Sequence, residues 1–91
     1  MNQVPAQKKL KLSAVTAAVI PTTPNGLSID HDGLSFTVSR VDAKHPHSWR
    51  GTYVVVESDM TDYYTDSLGG IREWVRLCCE AAHEVNQQRS V

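Results

Sequence analysis

The sequence predicts an α+β domain, with a three- to four-stranded antiparallel sheet and one C-terminal amphipathic helix packed on one face. Three observations lead to this fold class. Apolar and polar residues alternate through much of the chain before residue 67, as they do in strands with one buried face. The pair Asp32-Gly33 separates two such stretches, and Asp-Gly is typical of a tight hairpin. After residue 67, apolar residues recur at helical spacing, so the last element is a helix that can cover the sheet.

The length of 91 residues predicts one small domain, which we divide into a flexible N-terminal tail at 1–9 and a single α+β domain at 10–91. A chain of this size buries only about 60–65% of the surface that its unfolded form exposes. The core therefore has room for little more than one helix on one sheet, and a deep substrate pocket would use much of it. We accordingly expect no enzyme, no catalytic residues and no cofactor.

Charge and cysteine content limit the partners and the cellular compartment that we expect for the protein. Nine basic residues nearly balance ten acidic ones, so the net charge of -1 gives no general attraction to nucleic acid or to anionic membranes. No apolar run approaches the roughly 20 residues that a membrane span needs. The two cysteines, Cys78 and Cys79, are adjacent and would rarely pair with each other, whereas small domains in oxidising compartments usually carry several disulfides. We expect a reduced, cytoplasmic protein, located in the host cytoplasm if a phage encodes it.

The first element, residues 10–20, is open between strand and helix. Its β-branched residues favour a strand, while its alanines are compatible with a helix. We favour a strand, because the segment PTTPNG ends it sharply and no capping residue marks a helix start.

The next strands follow from short-range patterns. Leu34, Phe36 and Val38 alternate with serine and threonine, and LSID before the turn supplies a matching apolar face. These two stretches should pair as a hairpin, with one apolar face and one face lined with hydroxyls. The stretch TYVVVES predicts a further strand, and its three consecutive valines indicate a central position. The stretch TDYYTD could add a short edge strand before the helix.

The C-terminal stretch SLGGIREWVRLCCEAAHEVNQQ predicts an amphipathic helix. Ser67 is a good N-cap, and the charge of Asp66 is favourable beside the positive end of the helix. Gly69 and Gly70 lower helix propensity, so we expect a geometric reason for them, such as close approach of the first turn to the sheet. The apolar stripe consists of Leu68, Ile71, Val75, Cys78, Ala82 and Val85, widened by Trp74 and Ala81.

The main functional candidate is an acidic and aromatic stretch at 57–70, in which four acids flank two adjacent tyrosines without any base. Tyrosine gives a large contact area at low entropy cost, and carboxylates give charge complementarity, so this composition is typical of a protein-binding surface. The alternative is that one tyrosine belongs to the core and the acids are ordinary solvated loop residues. The predicted partner-binding residues, with the last as part of a second contact, are Glu57, Asp59, Asp62, Tyr63, Tyr64, Asp66 and Trp49.

The loop HPHSW is a weaker candidate for a metal site. His45 and His47, with Asp42 and His31, could supply nitrogen and oxygen ligands to zinc or nickel. A solvated loop whose Trp49 packs back on the sheet edge is the simpler interpretation, so we predict no metal.

Two further motifs have simple structural explanations. His83 follows Cys79 by four residues and could reach it on a helix, which is the one indication of a Cys-His pair. No third orienting group is apparent, so we assign the cysteines to core packing. The basic residues do not gather beside a recognition helix, and nucleic-acid binding by this chain alone is therefore not expected.

The segment LSFTVSRV…GTYVVVES…YYTDSLGGIREWVRLC resembles the layout of HicB-type antitoxins, in which three strands lead to a D-[ST]-L-x-x-A helix start. That family has acids at the two x positions, where this chain has Gly69 and Gly70, and Ile71 replaces the alanine. The resemblance implies the fold more than an activity. It also supports an alternative function, that of an antitoxin-like or DNA-associated dimeric regulator.

A compact chain with a hairpin-plus-helix plan, local acidic patches and no catalytic constellation is also similar to small accessory proteins of phages and mobile elements, including anti-CRISPR proteins. This resemblance implies stoichiometric binding to a host machine. We therefore expect a non-enzymatic binding protein that inhibits or tethers a larger host protein or ribonucleoprotein complex with a basic surface. We expect no direct membrane contact, and a homodimer is compatible with the sequence.

Overall fold

The computed structural model describes residues 10–89, with side chains described as far as residue 85. The predicted tail at 1–9 lies outside the described residues. The described part of the chain is a four-stranded antiparallel sheet in the order β1-β2-β3-β4 followed by one helix, which confirms the α+β class. The elements are β1 Leu27–His31, β2 Leu34–Arg40, β3 Tyr53–Val56, β4 Tyr63–Thr65 and α1 Leu68–Arg89, with short 3₁₀ turns at Leu12–Ala14, Ala17–Val19 and Ser48–Arg50.

The sheet has two different faces, which we call the core face and the open face. On the core face, strand register places Ile29 opposite Phe36 and Val38 opposite Val55. These side chains are buried together with residues from the first half of α1, so the helix covers this face as predicted. The open face has the hydroxyls of β2, but β3 contributes valines and β4 contributes Tyr64. It is therefore less uniformly polar than the sequence suggested.

Three predictions about the strands are confirmed. The hairpin forms at Asp32 and Gly33, whose positive φ angles of 51° and 85° suit a tight turn. Strand β3 lies between β2 and β4, which is the central position that its valines indicated. The tyrosine pair forms the short edge strand β4.

The prediction of a strand for residues 10–20 is wrong. This segment forms two 3₁₀ turns and inserts Val15 and Ile20 into the core. Two of its carbonyls accept hydrogen bonds from arginine side chains instead of a neighbouring strand: Arg72 Nη2 donates to Val15 O at 3.2 Å, and Arg40 Nη2 donates to Ala17 O at 2.9 Å. These donors from distant elements stabilise an irregular path that covers the side of the core.

The start of α1 follows the predicted chemistry. Ser67 Oγ accepts a hydrogen bond from the backbone N–H of Gly70 at 2.9 Å, which is the N-cap interaction. A Cβ on Gly70 would collide with Thr65 Oγ1 and lie 3.0 Å from Thr65 Cβ. A Cβ on Gly69 would meet only Ser67 Oγ, at 3.9 Å. The geometric reason therefore exists for Gly70 and not for Gly69.

Candidate functional site

The two adjacent tyrosines of β4 face opposite sides of the sheet, because side chains alternate along a strand. Tyr63 lies on the core face and stacks on Trp74 of α1, with ring centroids 4.5 Å apart and an interplanar angle of 6°. It is half-buried, so it packs the sheet edge against the helix. Tyr64 lies on the open face, opposite Val54. Of the pair, Tyr64 is the one placed for contact with a partner.

The four acids do not form one surface. Asp59 and Asp62 are exposed in the loop between β3 and β4, whereas Asp66 follows β4 at its other end. Asp62 and Asp66 are separated by four residues, about 13 Å along an extended strand. Asp66 Oδ1 accepts hydrogen bonds from Thr52, from its N–H at 2.9 Å and its hydroxyl at 3.0 Å, and so joins the start of β3 to the start of the helix.

Glu57 differs from the other acids because it is only 7% exposed. Its Oε1 accepts the backbone N–H of Asp59 at 2.9 Å, and its Oε2 is 3.4 Å from the hydroxyl of Ser58. These bonds hold the loop that follows β3. Glu57 also lines a groove of about 370 Å³ between that loop and the second half of α1. We call this the Met60 groove, and its lining is Leu34, Glu57, Asp59, Met60, Cys78, Ala81, Ala82 and Val85.

Trp49 is 79% exposed, so it does not pack back on the sheet edge as the simpler interpretation supposed. The 3₁₀ turn Ser48–Arg50 places it beside Arg50. The guanidinium carbon of Arg50 lies 5.8 Å from the centroid of the Trp49 ring and 4.8 Å from that of Tyr64. Arg50 therefore links the loop to the open face of the sheet through cation–π contacts.

The two histidines of the loop complete this surface. The ring centroids of His45 and His47 are 5.8 Å apart and lie 6.5 and 6.1 Å from that of Tyr64. His45 Nδ1 accepts the backbone N–H of His47 at 3.0 Å, so this nitrogen is already used. Within residues 10–89, no group of three or more histidine, cysteine or acidic side chains is arranged to hold a metal ion. We call the surface the Trp49 patch, and it consists of His45, His47, Trp49, Arg50 and Tyr64.

Sequence reasoning connected Trp49 with the histidine loop but missed two features of the patch. Arg50 is not among the predicted contact residues, although a cation directly after a tryptophan in a loop is a recognisable signal. The joining of this loop to Tyr64 depends on the pairing of β3 with β4, which no local pattern reveals. Asp66 and Trp49 also line one cleft, so these two predicted contact residues lie at the same end of the sheet.

The cysteines occupy positions unsuited to nucleophilic chemistry. Both are buried and free, and Cys79 Sγ donates to the carbonyl of His31 at 3.4 Å. His83 does not pair with Cys79, because its Nε2 lies 2.6 Å from Asp32 Oδ2. Burial raises the pKa of both thiols, and the negative charge of Glu57 raises the pKa of Cys78 further. Thiols of this kind keep their protons and react slowly.

Comparison with protein-family models found no match, and neither did searches of curated proteins and of solved structures. Within the described residues, the long helix α1 is not apolar enough to cross a membrane, and no other helix is a candidate for doing so.

Proposed function

We propose that this protein is a non-enzymatic binding protein that inhibits or tethers a larger host protein or nucleoprotein complex by stoichiometric binding. The observation that carries the proposal is the Trp49 patch, in which a tryptophan that is 79% exposed stands beside Arg50 and Tyr64. Tryptophan, tyrosine and arginine are the residue types most enriched among interface residues that dominate binding energy.

The energy available from Trp49 supports this role. Large aromatic side chains bury about 150–250 Å² each. Covering the exposed 79% of Trp49 would therefore remove roughly 120–200 Å² from water, a gross transfer free energy of about 3–5 kcal/mol at 25 cal/mol per Å² before the cost of immobilising the ring is subtracted. A partner pocket that accepts this ring would gain more from it than from any surface ion pair.

The loop between β3 and β4 favours a partner with a basic surface. Asp59 and Asp62 are exposed there, and residues 57–70 contain no base. Charges of this kind speed association and exclude wrongly charged partners more than they add affinity. A phage inhibitor of the anti-CRISPR type that binds a nucleoprotein complex fits this combination of an aromatic anchor and an acidic loop.

Affinity capture with single variants tests the proposal. The immobilised protein is exposed to host-cell lysate beside Trp49→Ala and Leu77→Ala. Leu77 is also an exposed apolar residue, at 44%, but it lines neither the Trp49 patch nor the Met60 groove. We expect wild type and Leu77→Ala to capture the same partner in a fixed molar ratio and Trp49→Ala to lose it. Equal capture by all three proteins, or turnover of a small molecule by the purified protein, would contradict the proposal.

An antitoxin-like or DNA-associated dimeric regulator is a second candidate, and one observation favours it. In the described part of the chain, β4 pairs only with β3, so its outer edge is available to a strand from a second copy. Light scattering at high protein concentration tests this candidate. A dimer that is lost when Tyr64→Pro blocks the edge would support it, and a strict monomer would exclude it.

A further inference from the structure

The Met60 groove lies along the second half of α1, where the sheet no longer buries the apolar stripe of the helix. The apolar stripe of the helix is buried at Ile71, Val75 and Cys78, half-buried at Ala82 and 47% exposed at Val85. Two adjacent alanines, at 81 and 82, leave space where larger side chains would have filled the groove. The result is a channel of about 370 Å³ with an apolar floor, near the lower end of the range for binding sites.

The charges of this channel are all of one sign. Glu57 and Asp59 are the only ionisable side chains of its lining apart from the buried Cys78, which is a neutral thiol. Glu57 is more than nine-tenths buried, yet among the described residues it forms no ion pair. Its carboxylate accepts one hydrogen bond from a backbone N–H and one long hydrogen bond, of 3.4 Å, from the hydroxyl of Ser58. A carboxylate can accept about four hydrogen bonds. The carboxylate therefore has acceptor capacity left for a donor from outside the domain.

We propose that the Met60 groove receives a lysine or arginine side chain of the partner protein. The aliphatic stem of such a side chain would lie on the apolar floor, and its cationic end would reach the carboxylates of Glu57 and Asp59. Long basic side chains are suited to this arrangement, because they combine an apolar stem with a charged end. The inference rests on the proposed function, and it names the chemistry of a second contact that complements the Trp49 patch.

The two carboxylates have different roles in this site. Glu57 is held in place by its hydrogen bond from the Asp59 N–H and is only 7% exposed, so a cation that reaches it meets a fixed and largely buried carboxylate. Asp59 donates its backbone N–H to Glu57, and its own side chain is exposed at the rim of the groove. Because this carboxylate is exposed, it can attract the cation before the cation enters the groove. An apolar side chain without a charge would leave Glu57 buried beside it and without a counter-charge.

Small capped amino acids test the groove without any partner. The ¹⁵N-labelled protein is titrated with Nα-acetyl-lysinamide, Nα-acetyl-argininamide and Nα-acetyl-norleucinamide, and amide chemical shifts are followed. Norleucine has the stem of lysine without the ammonium group. We expect the two cationic probes to shift the amides of residues 58–60 and 81–85 saturably, and the norleucine probe to bind at least about tenfold more weakly, because it lacks a charge-assisted contact.

Three variants make the test specific. Glu57→Gln keeps an oxygen that can accept the Asp59 N–H but removes the charge. It should weaken binding of the lysine probe at least about tenfold. Glu80→Gln removes the same charge from the other side of α1 and should leave binding unchanged. Ala81→Leu changes an exposed position and should block the groove without altering its charge.

Absence of shifts with every probe, equal binding of the norleucine probe, or equal effects of Glu57→Gln and Glu80→Gln would overturn the inference. These outcomes do not depend on Trp49. Loss of capture by Trp49→Ala with no probe binding would leave the proposed function standing, whereas probe binding without any Trp49-dependent capture would remove the proposed function and not the cation site.

Discussion

The two adjacent glycines at the start of α1 allow the steric cost of a side chain at position 70 to be measured, with position 69 as the control. Gly69 and Gly70 share the first helical turn, so alanine at either position gains similar helix propensity, roughly 0.4–1 kcal/mol. Only the Cβ at position 70 would collide with Thr65, whose Oγ1 and Cβ face it from the end of β4. Overpacking of this kind costs about 1–3 kcal/mol.

Because the propensity gain is common to both variants, the difference between them isolates the steric cost. We expect Gly69→Ala to be slightly more stable than wild type, and Gly70→Ala to be about 1–3 kcal/mol less stable than Gly69→Ala. For a domain of this size the gap corresponds to roughly 4–24 °C in Tm. Urea unfolding followed by circular dichroism gives the free energy of unfolding of each variant, and the slope m should stay constant.

A third variant identifies the obstacle. In a Thr65→Ala background the colliding hydroxyl is gone, so Gly70→Ala should cost less than it does in wild type. If Gly69→Ala and Gly70→Ala differ by less than about 0.5 kcal/mol, which is the usual scatter of neutral surface substitutions, the close packing of α1 on β4 is contradicted.

Other parts of the fold give simpler tests. Ser67→Ala removes the N-cap and should destabilise the protein by about 1 kcal/mol in urea unfolding; an unchanged midpoint would argue against the cap. Cys78 and Cys79 should react with a thiol reagent far more slowly in the native state than in urea, with the native rate rising only at alkaline pH, because burial raises both pKa values; fast native labelling at neutral pH would contradict this. The hydrogen bond and charge of Arg76 lower the pKa of Glu73, so an NMR titration should show this carboxyl protonating below its ordinary range. Its stabilising contribution should be present above the unfolded-state pKa and be lost as pH falls through the folded pKa, and Arg76→Ala should return the titration to the ordinary range.

Local patterns predicted the parts of the fold whose partners are close in sequence. The hairpin around Asp32 and Gly33 needs only a turn and two alternating stretches, and the start of α1 needs only Ser67 and the residues after it. Residues 10–20 could not be predicted in the same way. Their path depends on Arg40 and Arg72, which are 23 and 57 residues from the carbonyls that they reach.

Only part of the candidate site could be predicted, because some of its contacts also join residues from separate elements. Strand alternation alone would have separated Tyr63 from Tyr64, so the sequence contained the information that only one of them faces outward. The contact between Tyr64 and Arg50 is different, because it exists only once β3 and β4 pair and bring the histidine loop beside the open face. The burial of Glu57 likewise depends on where the second half of α1 lies.

The most direct test of binding through the Trp49 patch is the dissociation constant of the captured and purified partner. Titration calorimetry gives both affinity and stoichiometry for wild type, Trp49→Ala, Tyr64→Ala and the control Leu77→Ala. A loss of at least about 2 kcal/mol for Trp49→Ala, roughly thirtyfold in Kd, with a 1:1 ratio and an unchanged Leu77→Ala, is the predicted result. Equal affinities for Trp49→Ala and Leu77→Ala would contradict it.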